Sequence, residues 1–438
     1  MSVEKKLKKF ILTNVCAMVG LSCYILADTF FISIAEGTDG ITTLNLAMPI
    51  YNLMFAIGSM IGIGSATRYG FHKAKKSKET DLFFSNAVFF TILISVVFMA
   101  LGIFCPRQVM EVMGADEHIA ELGKSYIRIA LVFAPCFMLN YSFTAFVRND
   151  SAPTLAMIAT FVSSFSNIVL DYVFMFPMKM GMTGAALATG ISPVISITIC
   201  MTHFLSSKNT IRFCFGMPSL RRLIQCCQLG IVAFVTEISS GVTTTIFNFI
   251  VLRLAGNIGV AAYGVIVNVA MVCIYIFNGV SQGLQPLASE AHGKNRKEEE
   301  SRILKQSLSI GILLAVVIVA LVQIFAKQCV AIFNREGSPE LAYYAVEGLR
   351  LYIVGFFFAS VNIIVAGFLS ATDCARSSSV IAIMRGLVAI TVVVILLSRL
   401  LGILGVWLAF PVAELLTLLV TCIVLYRRKK EGGGWHHP

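Results

Sequence analysis

Apolar stretches long enough to cross a lipid bilayer recur about twelve times along this chain, and no other feature limits its fold more. Each crossing needs roughly 20 mostly apolar residues. The stretches fall near 10–34, 44–68, 82–104, 124–147, 154–178 and 183–205, then near 225–252, 260–287, 305–326, 344–369, 379–398 and 402–426. Little of the 438 residues is left for a water-soluble domain. Only 13% of the residues are charged, against about 25% in soluble globular proteins. Lipid offers no partner to an unpaired backbone group, so spans of this length must be helices. The fold class expected is an all-α membrane protein of twelve transmembrane helices in two pseudo-symmetric six-helix lobes. Lys5, Lys6, Lys8 and Lys9 precede a span too long for a cleavable signal peptide.

Orientation follows from where the cations sit. Most of the 34 Lys and Arg fall in alternate connectors. They include Arg68, Lys73, Lys75, Lys76 and Lys78, then Arg148, Lys208 and Arg212, then Lys294, Arg296 and Lys297, and finally Arg427 to Lys430. The opposite connectors carry Glu36, Asp39, Asp116 and Glu117. By the positive-inside rule both termini are expected in the cytoplasm, in a multi-pass protein of the bacterial plasma membrane. The net charge of +11 then reads as topology signal and lipid-headgroup contact, not as a nucleic-acid surface. The twelve cysteines show neither CxxC nor Cys/His ligand spacing, so neither a disulfide framework nor a zinc site is expected.

The chain repeats itself at a shift of about 220 residues. Gly37 matches Gly256, Gly64 matches Gly283, and His72 matches His292. Arg128 matches Arg350, Asn140 matches Asn362, and "MGMTGAALAT" matches "LGILGVWLAF". Six spans per half make the repeat parallel, a common transporter plan. The domains expected are an N-terminal lobe at 1–205, a cytoplasmic linker at 206–224, and a C-terminal lobe with its tail at 225–438. Gly58, Gly62 and Gly64 are expected to let helices pack closely.

Carboxylates within spans are costly and mark function by default. Asp28 lies roughly 27 Å up the first span and Asp171 roughly 26 Å up the fifth, at 1.5 Å per residue. Asn167 sits one turn below Asp171 on the same face. Thr189 falls at similar depth in the sixth span. These four form a candidate all-oxygen cluster. Two carboxylates out of water must share a proton or hold a cation, and the oxygen set suits Na⁺. The repeat partners at this register are Phe247 for Asp28, Val388 for Asn167 and Val392 for Asp171, so coupling is expected in the first half alone. Glu237 lies near mid-membrane and suits a cationic substrate. Asn140 and Gln282 are polar span residues assigned with it to a substrate chamber. Glu414 and Arg385 are expected to form a structural ion pair.

The segments "YILADTFFI", "LNLAMPIYNLMFAIGSMIGIGSATRYG", "VRNDSAPTLAMIATFVSSFSNIVLDYVFMF", "GMTGAALAT", "YGVIVNVAMVCIYIFNGVSQGLQPLASEAHGK" and "GVWLAFPVAELL" stand in this order. Together they resemble the multidrug and toxic compound extrusion (MATE) family, in its MepA- and DinF-like bacterial branch. The resemblance covers essentially the whole chain. It implies two lobes that open alternately to either side, and export of cationic or amphipathic compounds in exchange for H⁺ or Na⁺. It also implies a cation site at Asp28, Asn167, Asp171 and Thr189, with Tyr24 beside it, and a seventh-helix acid at Glu237. Two prolines found in many members, one in the first helix and one four residues before that acid, are absent; Ala233 takes the second place.

Two other readings compete. A lipid-linked saccharide flippase of the same wider superfamily favours a basic cavity, whereas the mid-membrane ionisable residues here are mostly acidic. A membrane-embedded enzyme needs a catalytic constellation, and no HExxH or Ser/His/Asp set stands in the spans. The expectation is therefore a transporter, not an enzyme. It needs no cofactor beyond its coupling ion, acts on small molecules as a monomer among membrane lipids, and binds no nucleic acid.

Overall fold

The computed structural model describes residues 3–75, 79–115, 117–207, 209–214, 218–333 and 338–430. Lys76, Lys78, Asp116 and Lys208, assigned above to connectors, lie outside them. Among the described residues the secondary structure is helical, with no strand.

Among the described residues, ten helices are long and apolar enough to span a membrane. The first six spans are α1 (Glu4–Glu36), α2 (Leu46–Ala74), α3 (Thr80–Phe104), the bent pair α4 (Glu117–Val132) and α5 (Ala134–Asn149), α6 (Pro153–Met175) and α7 (Gly181–Leu205). The other six are α8 (Leu220–Gly256), α9 (Ile258–Gly293), α10 (Lys297–Ala331), the bent pair α11 (Pro339–Ile353) and α12 (Phe356–Ala371), α13 (Ala375–Leu401) and α14 (Ile403–Arg428). With each bent pair taken as one span, twelve result. The pairs bend by 41° and 47°, and they are the fourth spans of the two halves. Pro135 stands at the start of α5, and a proline there cannot continue the hydrogen bonds of α4.

Lipid-facing surfaces are plain in the third span of each half. Phe89, Leu93 and Val97 form an exposed stripe on α3, and Leu313, Val317 and Leu321 form one on α10. Water does not tolerate apolar faces of that extent, whereas a bilayer does. Inside, the two largest apolar cores keep to their own halves, one running from Ile32 to Ala186 and the other from Phe247 to Ala413.

Backbone conformation repeats as well. Ser151 and Asp373 both take left-handed values, φ 68° and 58°, just before the fifth span of each half. Gly181 and Gly402 do so before the sixth, at φ 53° and 61°. Together with Asn140 and Asn362, the first pair sets the shift across the fifth spans at one residue more than the sequence register given above. Burial confirms it: Asn167 and Asp171 are both buried, while Val388 and Val392 are about half exposed. Ala389 and Val393, one residue further along, are buried on α13, and these are the partners of Asn167 and Asp171. They are apolar too, so the loss of polarity in the second half stands. Phe247, the partner of Asp28, is fully buried and stacks on Tyr263.

The halves meet through glycines near the end of the bundle that carries both termini. A Cβ on Gly64 of α2 would fall 2.1 Å from the Cys226 carbonyl oxygen of α8, and one on Gly230 would fall 1.9 Å from that of Met60. Gly279 and Gly283 of α9 press in the same way on Val15 and Ile11 of α1. Gly58 and Gly62 pack α2 against the backbone of α5. Small residues let helices approach this closely in lipid.

At the same end Asp150 is buried and crowded with donors. It accepts from Tyr69 Oη (2.8 Å), the Thr210 backbone N–H (2.8 Å), the Thr210 hydroxyl and Lys73, and His203 Nε2 lies 2.8 Å from Oδ2. Burial alone would raise the Asp150 pKa, but the hydrogen bonds from Lys73, Thr210 and His203 outweigh it and hold it below the usual carboxylate value. His203 is thus a buried member of this cluster.

Candidate functional site

The packing of α1 on α6 brings the two carboxylates of the first half together. Phe31 lies 6.3 Å from the Tyr172 ring, centroid to centroid, and Gly20 lets α1 lie against Phe161. Asp28 and Asp171, one turn or less from those contacts, are buried and repel one another electrostatically. Each has one oxygen, Oδ1, with no hydrogen-bond partner. With its amide nitrogen toward the carboxylate, Asn167 donates to Asp171 Oδ2 (3.1 Å) and accepts from the Thr189 backbone N–H (3.3 Å). The reverse orientation leaves only a 3.5 Å contact to the Thr189 hydroxyl. The hydroxyl of Ser163 on α6 donates to the Ser192 carbonyl of α7 at 2.6 Å and braces the two helices beside the cluster.

A cavity of about 150 Å³ opens between the halves. Tyr24, Asn167 and Thr189 line it from the cluster side, with Asn140 near them. Glu237 and Gln282 line it from the second half. All six were predicted from the sequence, and the structure sets them around one space. Asp28 and Asp171 are not among the lining residues, and Asp171 lies beside Asn167. Drug-sized sites begin at roughly 300 Å³, so a cargo of that size requires the lobes to part further.

Sequence reasoning missed four lining residues. Tyr275 and Asn278 stand seven and four positions before Gln282, at helical spacing, and that polar stripe within an apolar span was the available signal. Tyr141 follows Asn140 directly. Arg148 was counted among connector cations. It is instead 5% exposed, in the last turn of α5, and lines the cavity.

The second half holds a different polar group. Arg385 Nε lies 2.7 Å from Glu414 Oε1, Asn362 donates to Glu414 Oε2 at 2.9 Å, and Thr421 donates to Asn362 Oδ1 at 2.8 Å. The expected Glu414–Arg385 pair is present, and Arg385 sits in a π-helical turn over Met384–Val388. A fixed guanidinium neutralises the acid here, whereas Asp28 and Asp171 have no base beside them.

The MatE family profile matches residues 15–173 and 233–395, one block in each half. The chain belongs to the MatE family. Among relatives in this family, the multidrug export protein MepA of Staphylococcus saprophyticus is 25% identical over 410 residues, covering 92% of this chain and 89% of that protein. MepA of Staphylococcus aureus strain MRSA252 is 25% identical over 411 residues, with the same coverage. An outward-facing multidrug resistance MATE transporter of the MOP superfamily has the same fold, with a TM-score of 0.92 at 20% identity over 98% of this chain and 97% of that one. A MOP superfamily transporter from Pyrococcus furiosus, described as having a binding pocket of reversed polarity, superposes with a TM-score of 0.88 at 20% identity over 98% and 95%. The chain is thus a multi-pass membrane transporter of MatE type.

Proposed function

We propose that the chain is a secondary active multidrug exporter, which moves cationic or amphipathic compounds outward in exchange for H⁺ or Na⁺. One observation carries this reading. Asp28 and Asp171 are buried and repel one another with no base beside them among the described residues, each has an unpartnered oxygen, and Asn167 and Glu237 line one cavity. A proton or Na⁺ relieves the repulsion between the two carboxylates, and Asn167 and Thr189 complete an oxygen set for a hard cation. Glu237 attracts the cationic cargo. Cation and cargo then occupy separate sites, and exchange requires only that each favours a different arrangement of the lobes.

In this reading the lobes are residues 1–205 and 225–438, joined by 206–224, and the basic end with both termini faces the cytoplasm of a bacterial plasma membrane. The MepA relatives support the assignment of drugs as cargo. The test is efflux of a cationic dye from vesicles containing the purified protein, with ΔpH and ΔNa⁺ imposed separately. Export under one gradient and not the other names the ion; no export under either refutes the proposal.

A further inference from the structure

Arg148 is a buried cation without an anion among the described residues. It makes no hydrogen bond or ion pair with any of them, and its Nε is enclosed without a partner. The acid nearest in sequence, Asp150, is engaged by Lys73, Tyr69, Thr210 and His203. Glu237 is the single acid lining the same cavity among the described residues, and it is not paired with Arg148. The α5 C-terminus contributes only about half an elementary charge, and no carbonyl there accepts from the guanidinium. Cys200 of α7 is within electrostatic reach of Arg148, and Ser196, one turn earlier, is a second buried donor with no partner. An unpaired buried charge costs several kcal/mol. A small anion in the cavity removes that cost, and a guanidinium takes a halide or binds a carboxylate with two parallel hydrogen bonds.

We propose that Arg148 forms an anion subsite in the cavity, for one singly charged anion of halide or carboxylate type. Anion binding at Arg148 does not depend on the exchange reaction assigned above; only its use by cargo rests on that reading. A cavity bearing an acid at Glu237 and a base at Arg148 is suited to cargo with charges of both signs, or to a cation accompanied by a free anion.

The experiment is equilibrium binding of radiolabelled chloride to the detergent-purified full chain, with acetate as competitor. The expected result is saturable binding of one chloride per chain, displaced by acetate, with at least about tenfold weaker affinity in Arg148→Gln and most of it regained in Arg148→Lys. Absence of saturable binding in the wild type, or equal affinity in Arg148→Gln, overturns the proposal. If Arg148→Gln does not fold, the wild-type measurement still decides. A cationic dye with a free carboxylate, set beside its methyl ester, separates the sources: displacement of chloride by the acid alone means the anion arrives on the cargo, and displacement by neither means a free ion. Binding needs no transport, so failure here is distinguishable from failure of export.

Discussion

Arg68, near the end of α2, reaches across to Asp373, between α12 and α13, and holds it in an ion pair with Nη1 3.0 Å from Oδ1. The pair ties the first half to the second at the end where glycine contacts already join them. Both partners are partly exposed, and such pairs contribute about 0–1 kcal/mol. Asp373→Asn is therefore expected to shift the balance between closed and open forms of this end by no more than about fivefold. Cys226, buried in the same seam against Gly64, is the reporter. In a background where the other cysteines are replaced, its alkylation should accelerate modestly. An unchanged rate would mean that the glycine packing alone holds this end shut.

The proposed coupling cluster makes a sharper prediction. Asp28→Asn or Asp171→Asn keeps the side-chain shape and removes one of the two charges. Gradient-driven dye export should fall at least about tenfold, equivalent to about 1.4 kcal/mol or more of lost coupling. The protein should remain folded and inserted, since removal of one buried carboxylate charge relieves repulsion. Efflux assays on both mutants, normalised to purified protein, check this; wild-type rates in both would remove the cluster from the mechanism.

Asymmetry between the lobes is testable at the corrected repeat positions. Asn167→Ala should abolish coupling. Val393→Ala, opposite Asp171 in the repeat, deletes two buried methyl groups and should cost about 1–2 kcal/mol of stability while leaving coupling intact. Parallel efflux and thermal-unfolding measurements separate these effects. Equal loss of coupling in both would contradict a one-lobe cation site.

Asp150 predicts acid sensitivity. Its folded pKa is depressed below the ordinary value of about 3.9, so its contribution is complete above that value and is lost as pH falls below it toward the folded pKa. Asp150→Asn should therefore be destabilised by about 1–3 kcal/mol at neutral pH, as Lys73 loses its partner. The mutant should also lose part of the wild-type decline below about pH 4. The unfolding midpoint in detergent from pH 3 to pH 7 reads both; parallel wild-type and mutant curves would show that Asp150 contributes nothing to the pH dependence.

Glu237→Gln should weaken binding of a monovalent cationic dye without removing coupling-ion binding, because Glu237 stands on α8 of the second half whereas Asp28, Asn167, Asp171 and Thr189 stand on helices of the first. One-for-one exchange of monovalent cations moves no net charge. The membrane potential, about 2.3 kcal/mol per charge per 100 mV, then does no work. Export should persist in vesicles clamped at zero potential with an ion gradient imposed. A requirement for potential would exclude one-for-one exchange, and unchanged dye affinity in Glu237→Gln would exclude its cargo role.

The sequence by itself determined the bilayer, the helical spans, the duplicated halves and the four polar residues from which a cation site is proposed. Each depends on quantities carried locally along the chain: apolar length, cation placement, and depth counted from a span end. Asn167 and Asp171 share a face because they stand four apart on one helix, whatever surrounds them. Only the tertiary structure decided which residues meet across helices. A shift of one residue turns a helical side chain by about 100°, which is why Val388 and Val392 face outward while Ala389 and Val393 occupy the buried positions. The same limit hid Arg148, His203 and Asp150. Near a span end, position in the chain gives depth but not direction, and packing against α6 and α7 turned Arg148 into the cavity. Long-range packing also brought Glu237 to the same cavity as Tyr24, Asn167 and Thr189, since no local pattern fixes how one lobe rests against the other.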